Sequence, residues 1–387
     1  MRAFGYFSRG SVQHGQPALL QSQDTGVDSI QADKMNNTKA AGDQAIRETD
    51  IDAAVARFSA VSKGYMHDEL VAFFAPSKSN PIRPPWVNVG THHRTYTIDA
   101  LIERFIQRTK GPVQVLSLGS GSDSRYWRLR KRWGAEWPVE RWIETDFQET
   151  VSSKIDTIIK QNQLLAPCGQ RVEISADDDP TGSRGTQPHA ELHGQSYCLV
   201  SIDLRKPDHL ISKLTSHHLL SGTLAKPDLP TLILAELVFV YMQPEETQSC
   251  LSQLAKYFRD QLMVVTYEAL NLGDNFSRVM VQNLRTRGLT LLGFNHNSGV
   301  ESQLKRFREL GFLEIMSTNM KKLRESASDD KEWNENWKGE LGRIKQLEFL
   351  DEVEELELIL EHYALTWALR KTKSPIEKTR FYLPSLD

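Results

Sequence analysis

A loop with two glycines constrains the fold of this chain more than any other feature. It occupies residues 117–129, reads Ser-Leu-Gly-Ser-Gly-Ser-Asp-Ser-Arg-Tyr-Trp-Arg-Leu, and follows the apolar run Val113–Leu118. Gly119 and Gly121 allow the backbone to turn sharply and allow a ligand to approach it closely. A buried strand, a glycine turn and a segment that can start a helix are typical of the ligand-binding edge of an α/β fold.

The carboxylate of Asp123 indicates which ligand such a loop accepts. A negative side chain at a helix N-terminus disfavours the phosphates of a dinucleotide, which would occupy the same place. S-adenosylmethionine carries a sulfonium and an ammonium group, so the loop favours a methyl-donor site. A dinucleotide-binding oxidoreductase is the competing interpretation, but its fingerprint needs a third glycine where this chain has Ser124.

Composition excludes several classes of function. The chain has 387 residues and a formal net charge of -3, so it lacks the basic excess expected of a nucleic-acid-binding protein. Its 3 cysteines have no CxxC spacing, which argues against a zinc site or a disulfide framework and favours a reducing compartment. No apolar stretch has the length of a membrane span. We therefore predict a cytoplasmic protein with no membrane partner and no bound metal.

Apolar runs and helical periods alternate from residue 113 onward, which predicts a mostly parallel sheet covered on both faces. A helix is expected between most pairs of neighbouring strands. The two last strands flank a helix and suit an antiparallel addition at one edge. The predicted strands are Val113–Leu118, Glu140–Asp146, Tyr197–Leu204, Thr231–Val238, Leu262–Tyr267, Phe312–Ser317 and His362–Arg370.

Composition also suggests boundaries along the chain. Residues 1–48 are polar and predict a disordered tail; a transit peptide at its start is the alternative. Residues 49–112 show helical spacing and predict a cap or lid over the domain that fills 113–387. Residues 177–195 are rich in Asp, Gly, Pro, Ser and His and predict a loop insertion. Its aspartates and His189 and His193 suggest metal ligands, but a solvated loop is the preferred interpretation.

Four positions fall at the carboxyl ends of predicted parallel strands, where open α/β sheets bind ligands. They are Gly119, Asp146, Asp203 and Glu236. Asp146 suits a ribose diol, Asp203 suits an adenine amino group, and Glu236 interrupts an apolar run where its carboxylate needs a partner. Each aspartate alone is equally well explained as a helix N-cap, and Glu236 by a structural arginine. Their joint position at one sheet edge favours a site.

Several segments resemble the leucine carboxyl methyltransferase family, in its fungal form, and the similarity runs from about Asp52 to Arg370. The most specific are Ala-Glu-Leu-Val-Phe-Val-Tyr-Met at 235–242 and Leu-Glu-Phe-Leu-Asp-Glu at 347–352. The others are Val115–Asp123 with Trp127–Leu129, Glu144–Phe147, Ile202–Arg205, Tyr267-Glu268, Gly273–Phe276 and Gly64-Tyr65.

The resemblance implies a Rossmann-like, seven-stranded, mostly parallel sheet of S-adenosylmethionine-dependent methyltransferases with an N-terminal helical cap. It also implies the residues that contact the donor. Arg57 and Arg94 are expected on the donor carboxylate. Apart from the resemblance, Tyr241 is a candidate for positioning the peptide terminus. By the same resemblance, the remaining donor contacts are Gly119, Gly121, Asp146, Asp203, Leu204 and Glu236.

The acceptor implied by the resemblance is the C-terminal leucine carboxylate of the catalytic subunit of type 2A protein phosphatases. We expect a monomer that needs no catalytic base. Related enzymes that methylate a modified tRNA base or a small natural product are one alternative. A catalytically inactive protein that masks the phosphatase tail is another.

Overall fold

The computed structural model describes residues 27–76, 82–109, 111–176, 189–219, 222–326 and 330–370, with side chains from residue 40 onward. The helices are α1 (Val27–Ser62), α2 (Val71–Phe74), α3 (Pro85–Thr109), α4 (Arg125–Trp133), α5 (Gln148–Lys160), α6 (Asn162–Leu165), α7 (Pro207–Thr215), α8 (Pro244–Tyr257), α9 (Asn275–Thr286), α10 (Val300–Glu309), α11 (Met320–Glu325), α12 (Lys331–Ile344) and α13 (Val353–Glu361).

The strands are β1 (Val113–Leu118), β2 (Val139–Asp146), β3 (Val172–Ala176), β4 (His189–Gly194), β5 (Tyr197–Ser201), β6 (His217–His218), β7 (Gly222–Thr223), β8 (Thr231–Glu236), β9 (Leu262–Ala269), β10 (Glu314–Asn319) and β11 (Tyr363–Arg370). Strands β6 and β7 pair only with each other, as a short antiparallel hairpin. The others form one sheet in the order β10-β11-β9-β8-β1-β2-β5-β4-β3.

The central strands β9, β8, β1, β2 and β5 are parallel, which confirms the predicted α/β architecture. Strand β11 pairs antiparallel with β9 and β10, as predicted for one edge. The predicted count of seven strands is wrong: within the described residues the sheet has nine. The two additional strands, β3 and β4, form an antiparallel hairpin beyond β5.

The hairpin corrects the predicted loop insertion at 177–195. Residues 189–194 form strand β4, which is almost wholly buried, while residues 177–188, including the aspartate run, lie outside the described residues. Leu192 is buried in the core, and Glu191 and His193 alternate with it on the other face. A strand this short and this rich in polar residues has little β signal of its own, so pairing with β5 determines its conformation.

Two hydrophobic cores cover the two faces of the sheet because side chains alternate along each strand. In β8, Leu232 and Leu234 join a core that includes residues of helices α3, α4, α5 and α13. Ile233 and Ala235 of the same strand join the core on the other face, with residues of α7 and α8. The strands are thus buried on both faces, as expected of a parallel sheet between helical layers.

Helix α1 corrects the predicted tail. It begins at Val27, so the predicted boundary at residue 48 falls inside a helix, and residues 1–26 lie outside the described residues. Ala53 and Ala54 of this helix are buried, and α1 packs along α3. The first half of the helix has no amphipathic pattern in the sequence. The helix is stabilised by the tertiary contact of its second half with α3. Among the described residues, no helix combines the length and apolarity needed to cross a bilayer.

Candidate functional site

A cleft lies at the carboxyl ends of the central strands. It is lined by five predicted site residues from four strands: Gly119 after β1, Asp146 at the end of β2, Asp203 and Leu204 after β5, and Tyr241 after β8. The chain reverses direction across the sheet between β1 and β8, and such a switch point is where open α/β folds bind ligands. Helix α1 contributes another wall through Ile46, Arg47, Thr49 and Asp50.

The glycine loop has the backbone conformation that the sequence predicted. Gly119 has φ of 59° and Gly121 has φ of 51°, both in the left-handed region that favours glycine. A Cβ atom on Gly119 would lie 2.8 Å from Cγ2 of Val238, and one on Gly121 would overlap the carboxylate of Asp50. Gly121 lines a second cavity, which shares Asp50 with the cleft. Glycine is therefore required at both positions, because of the backbone conformation and because Val238 and Asp50 lie too close for a Cβ atom.

Asp146 fixes the glycine loop to the end of strand β2. Its Oδ2 accepts the backbone N–H of Gly121 at 2.7 Å, and its Oδ1 accepts the N–H of Phe147 at 2.7 Å. Charge-assisted hydrogen bonds to two backbone donors restrain both the carboxylate and the loop. The carboxylate therefore stands at the cleft in a set orientation.

Asp203 belongs to an ion pair that reaches helix α1. Its Oδ1 accepts from Nε of Arg205 at 2.8 Å, and the same guanidinium is bidentate to Asp43, at 2.7 and 2.9 Å. Burial alone would raise the pKa of Asp203, but hydrogen bonds and charge from Arg205 lower it. This cation connects the loop after β5 to the wall that α1 forms.

Glu236 has structural arginine partners, which was the alternative left open by the sequence. Its Oε1 lies 3.0 Å from Nε of Arg94, and its Oε2 accepts from Nη2 of Arg125 at 3.2 Å. Glu236 and Arg94 are not among the residues that line the cleft, but Leu237 and Val238, which follow Glu236, are. The predicted pair Glu236 and Arg94 therefore lies next to residues of the cleft wall and not in the wall itself.

Both predicted arginines are buried, not exposed. Arg94 lies in α3 with 1% of its surface exposed, and Arg57 lies in α1 with 5% exposed. Arg57 donates from Nη2 to Oγ of Ser122 in the glycine loop at 2.6 Å. Burial lowers the pKa of Arg57, while the carboxylates of Asp123 and Asp50 oppose that shift. The interpretation of these arginines as surface side chains is wrong, because α3 packs between α1 and α13.

Asp123 does not present its charge to the cleft. Its carboxylate accepts from the backbone N–H of Arg125 at 2.9 Å and also pairs with the Arg125 guanidinium. Burial alone would lower the pKa of Arg125, but Asp123, Glu236 and Asp99 raise it. The prediction of a cationic ligand from Asp123 therefore rested on a charge that the fold itself neutralises.

Three groups near the cleft were not predicted as site residues. Tyr267 and Tyr363 stack with ring centroids 5.3 Å apart, and the Arg94 guanidinium lies 5.9 Å from the Tyr267 ring. Burial raises the pKa of both tyrosines. Asp50 lines the cleft from α1. Tyr267 is the last residue of a predicted strand, so its place at the sheet edge could be predicted from the sequence. The place of Tyr363 depends on the antiparallel register of β11 with β9, which the sequence does not give.

A strained turn forms the wall after β8. Leu237 has φ of 53°, a conformation that is unfavourable for a residue with a branched side chain. Glu268 of β9 holds the turn that follows: its carboxylate accepts the backbone N–H groups of Val238, Phe239 and Val240 at 3.2, 2.9 and 3.1 Å. Burial raises the pKa of Glu268 to about 7, against the opposing charge of Arg306.

Comparison with known proteins identifies the family. A sequence model of the leucine carboxyl methyltransferase family matches residues 36–255. The chain is similar to leucine carboxyl methyltransferase 1 of Cryptococcus neoformans, with 38% identity over 85% of this chain and 94% of that protein. It is also similar to the rat protein of the same name, with 31% identity over 85% of this chain and 90% of that protein.

Among solved structures, a putative methyltransferase from Thermobifida fusca aligns with a TM-score of 0.45 at 13% identity, covering 82% of this chain and 94% of that one. The family match spans the glycine loop and the strands whose carboxyl ends form the cleft. The chain belongs to the leucine carboxyl methyltransferase family.

Proposed function

We propose that this protein transfers the methyl group of S-adenosylmethionine to the α-carboxylate of the C-terminal leucine of type 2A protein phosphatase catalytic subunits. Its family membership supports the reaction class, and the cleft at the strand ends supports the methyl donor. The observation that carries the assignment is the guanidinium of Arg94 beside that cleft.

Arg94 is buried without satisfying its hydrogen-bonding capacity. None of its three guanidinium nitrogens makes a hydrogen bond to a described residue, although Nε lies 3.0 Å from Glu236. Buried donors of this strength are ordinarily paired, and a planar guanidinium matches a carboxylate. A ligand carboxylate bound here would satisfy Arg94, and the donor brings one in its methionine portion.

The other predicted contacts suit the remaining parts of the same donor. Gly119 leaves room for its methionine end against the backbone, and Asp146 can accept from ribose hydroxyls. Asp203 and Leu204 also line the cleft, and the adenine would lie against them. Arg57, next to Ser122 of the loop, would assist Arg94 on the donor carboxylate.

The reaction needs positioning rather than proton transfer. A leucine carboxylate is ionised near neutral pH, so its oxygen attacks the methyl carbon without a base, and the carbon–sulfur bond breaks as the ester forms. The attack joins a negative oxygen to a positively charged sulfur compound, so exclusion of water by the cleft favours it. Tyr241, buried in the cleft wall, would position the peptide terminus.

We also propose a monomeric, cytoplasmic enzyme. All three cysteines are free and buried, which suits a reducing compartment. Size-exclusion chromatography with light scattering tests the monomer, which corresponds to a mass of 44.1 kDa.

Incubation with radiolabelled donor and purified phosphatase catalytic subunit tests the reaction. We expect label on the intact subunit, released by mild base as methanol because a methyl ester hydrolyses. No label should appear on a subunit that lacks its last leucine. Transfer to a subunit whose C-terminus is an amide would contradict attack by a carboxylate.

A further inference from the structure

A cluster of two histidines and a glutamate lies at β4, next to the edge strand β3, and apart from the cleft. Glu191 and His193 project from the same face of β4, and His218 lies in the β6–β7 hairpin. One potential ligand atom from each residue lies within 4.8 Å of the other two. The two imidazole rings stack with centroids 3.6 Å apart and planes 17° from parallel.

The hydrogen bonds of His193 fix its tautomer. Its Nε2 lies 2.7 Å from Oε2 of Glu191, whose other oxygen pairs with the ammonium of Lys213. An ionised carboxylate only accepts hydrogen bonds, so Nε2 must carry the proton. In the neutral ring the lone pair is then on Nδ1. That atom is buried and has no hydrogen-bond partner among the described residues, although His193 is only 2% exposed.

The same reasoning fixes His218. The hydroxyl of Ser216 donates to the carbonyl oxygen of Lys213 at 2.6 Å, so its single proton is committed there. The 2.8 Å contact between Ser216 Oγ and His218 Nε2 must therefore be donated by the imidazole. The lone pair of His218, like that of His193, is on Nδ1.

Both rings thus have the arrangement found in metal-binding histidines. Such a histidine donates one ring N–H to a protein acceptor, which orients the ring, and binds the metal with its other nitrogen. Glu191 is that acceptor for His193, and Ser216 is that acceptor for His218. Packing alone does not account for the unsatisfied Nδ1 of a buried histidine.

We propose that His193 and His218 bind a divalent transition-metal cation, such as Zn²⁺, through their Nδ1 atoms. Imidazole nitrogen is a preferred ligand of these cations, and water would complete the coordination. Zinc–nitrogen bonds of about 2.0–2.1 Å place two ligand nitrogens roughly 3.3 Å apart in a tetrahedral site. The rings stack in the structure, so metal binding requires the half-buried His218 ring to turn from the stack toward that geometry.

Bound metal would attach the β6–β7 hairpin to strand β4. The hairpin belongs to no other sheet, and its described contacts in the cluster come from His218 and its neighbour Ser216. A cation that binds only the folded chain stabilises it by mass action. The bound cation would thus stabilise the fold, and the site is separate from the donor cleft, since none of its residues lines that cleft.

Calorimetric titration of the full chain with Zn²⁺ tests the proposal. His218→Gln should weaken the tightest site at least about tenfold, since one of two protein ligands is lost. The half-exposed position of His218 makes this variant compatible with folding, which thermal melting verifies. His217→Gln is the matched control, because His217 is the exposed neighbour outside the cluster.

Two results would overturn the inference: equal zinc affinity in the wild type and His218→Gln, or equal loss in His217→Gln. Nuclear magnetic resonance of chains labelled with ¹⁵N-histidine supplies a second readout. We expect both rings as Nε2–H tautomers without metal, and zinc-induced shifts at their Nδ1 atoms. A proton on Nδ1 of either ring would contradict the geometry on which the site depends.

Discussion

The two halves of the cleft hold their carboxylates in different ways. On the side of β2 and β5, Asp146 and Asp203 are half-buried, and each accepts hydrogen bonds from a loop at the sheet edge. On the side of β8 and β9, Glu236 and Glu268 are buried, one against two arginines and the other against three backbone N–H groups. On the side of β2 and β5, water can hydrogen-bond to a carboxylate that loses its partner. On the side of β8 and β9, burial prevents this. Substitutions in the second half should therefore have larger effects.

Arg94→Ala should produce the largest effect, because it removes a buried cation that faces Glu236. We expect the affinity for S-adenosylmethionine to fall by about 2–5 kcal/mol, roughly 30-fold or more. Isothermal titration measures it. Arg94→Lys keeps the charge without the planar fork and should give an intermediate loss.

An unchanged affinity in Arg94→Ala would remove this arginine from the donor site. Thermal melting must accompany the titration, since an uncompensated Glu236 also destabilises the fold. Arg132→Ala is the control for a lost guanidinium, because Arg132 forms an exposed ion pair with Glu103 on the outer surface. It should alter neither property by more than a few tenths of a kcal/mol.

Gly121→Ala tests the first half, where backbone geometry rather than buried charge determines the site. The new Cβ would overlap Asp50, and φ of 51° adds backbone strain. Gly134→Ala is a matched control, because Gly134 has φ of 58° with no atom within 4 Å of a new Cβ.

In urea denaturation, the control should lose about 1 kcal/mol of unfolding free energy from strain alone. Gly121→Ala should lose about 1–3 kcal/mol more, from overlap with Asp50. Equal losses would show that Asp50 moves aside and that the loop does not depend on close approach.

The same contrast explains what the sequence could predict. Gly119, Asp146 and Asp203 lie at or next to the carboxyl ends of predicted strands, so the position of a strand in the sequence places each at the sheet edge. Arg94, Glu236 and Tyr363 belong to α3, β8 and β11, which are far apart in the chain. Only tertiary packing brings them together.

The errors have a similar cause. Strand β4 and the first half of α1 lack periodic apolar residues, and their conformations depend on neighbours. From the sequence, Asp123 was expected to face a ligand. Its partner Arg125 is only two residues away, and that spacing does not by itself predict an ion pair.

Glu268→Gln probes the buried half through pH. Because the folded pKa of Glu268 is about 7 and its ordinary value is 4.5, the folded state holds this proton more tightly than the unfolded chain. The stability that this group contributes is fully present below pH 4.5 and is lost as the pH rises through 7. Urea denaturation should show this slope in the wild type and its absence in Glu268→Gln.

The total loss of unfolding free energy across this pH range should be about 1.4 kcal/mol for each unit by which the pKa is raised. Glu246→Gln serves as the control, because Glu246 is a half-buried capping carboxylate that accepts the N–H of Gln243. A slope of equal size in Glu268→Gln and wild type would assign the pH dependence to another group.

Asp203→Asn should give the smallest effect and so defines the other limit of the comparison. The amide keeps one acceptor oxygen, while Arg205 retains its bidentate pair with Asp43 and stays in place. With the adenine bound as proposed, the variant would lose the charge that strengthens the hydrogen bond from the adenine amino group, about 1 kcal/mol or roughly fivefold in donor affinity. Titration with S-adenosylhomocysteine, which shares the adenosine, should show the same loss. A loss of donor affinity as large as that of Arg94→Ala would mean that Asp203 also holds helix α1 over the cleft. The carboxylates of the two halves would then differ in burial, but the donor site would depend equally on both.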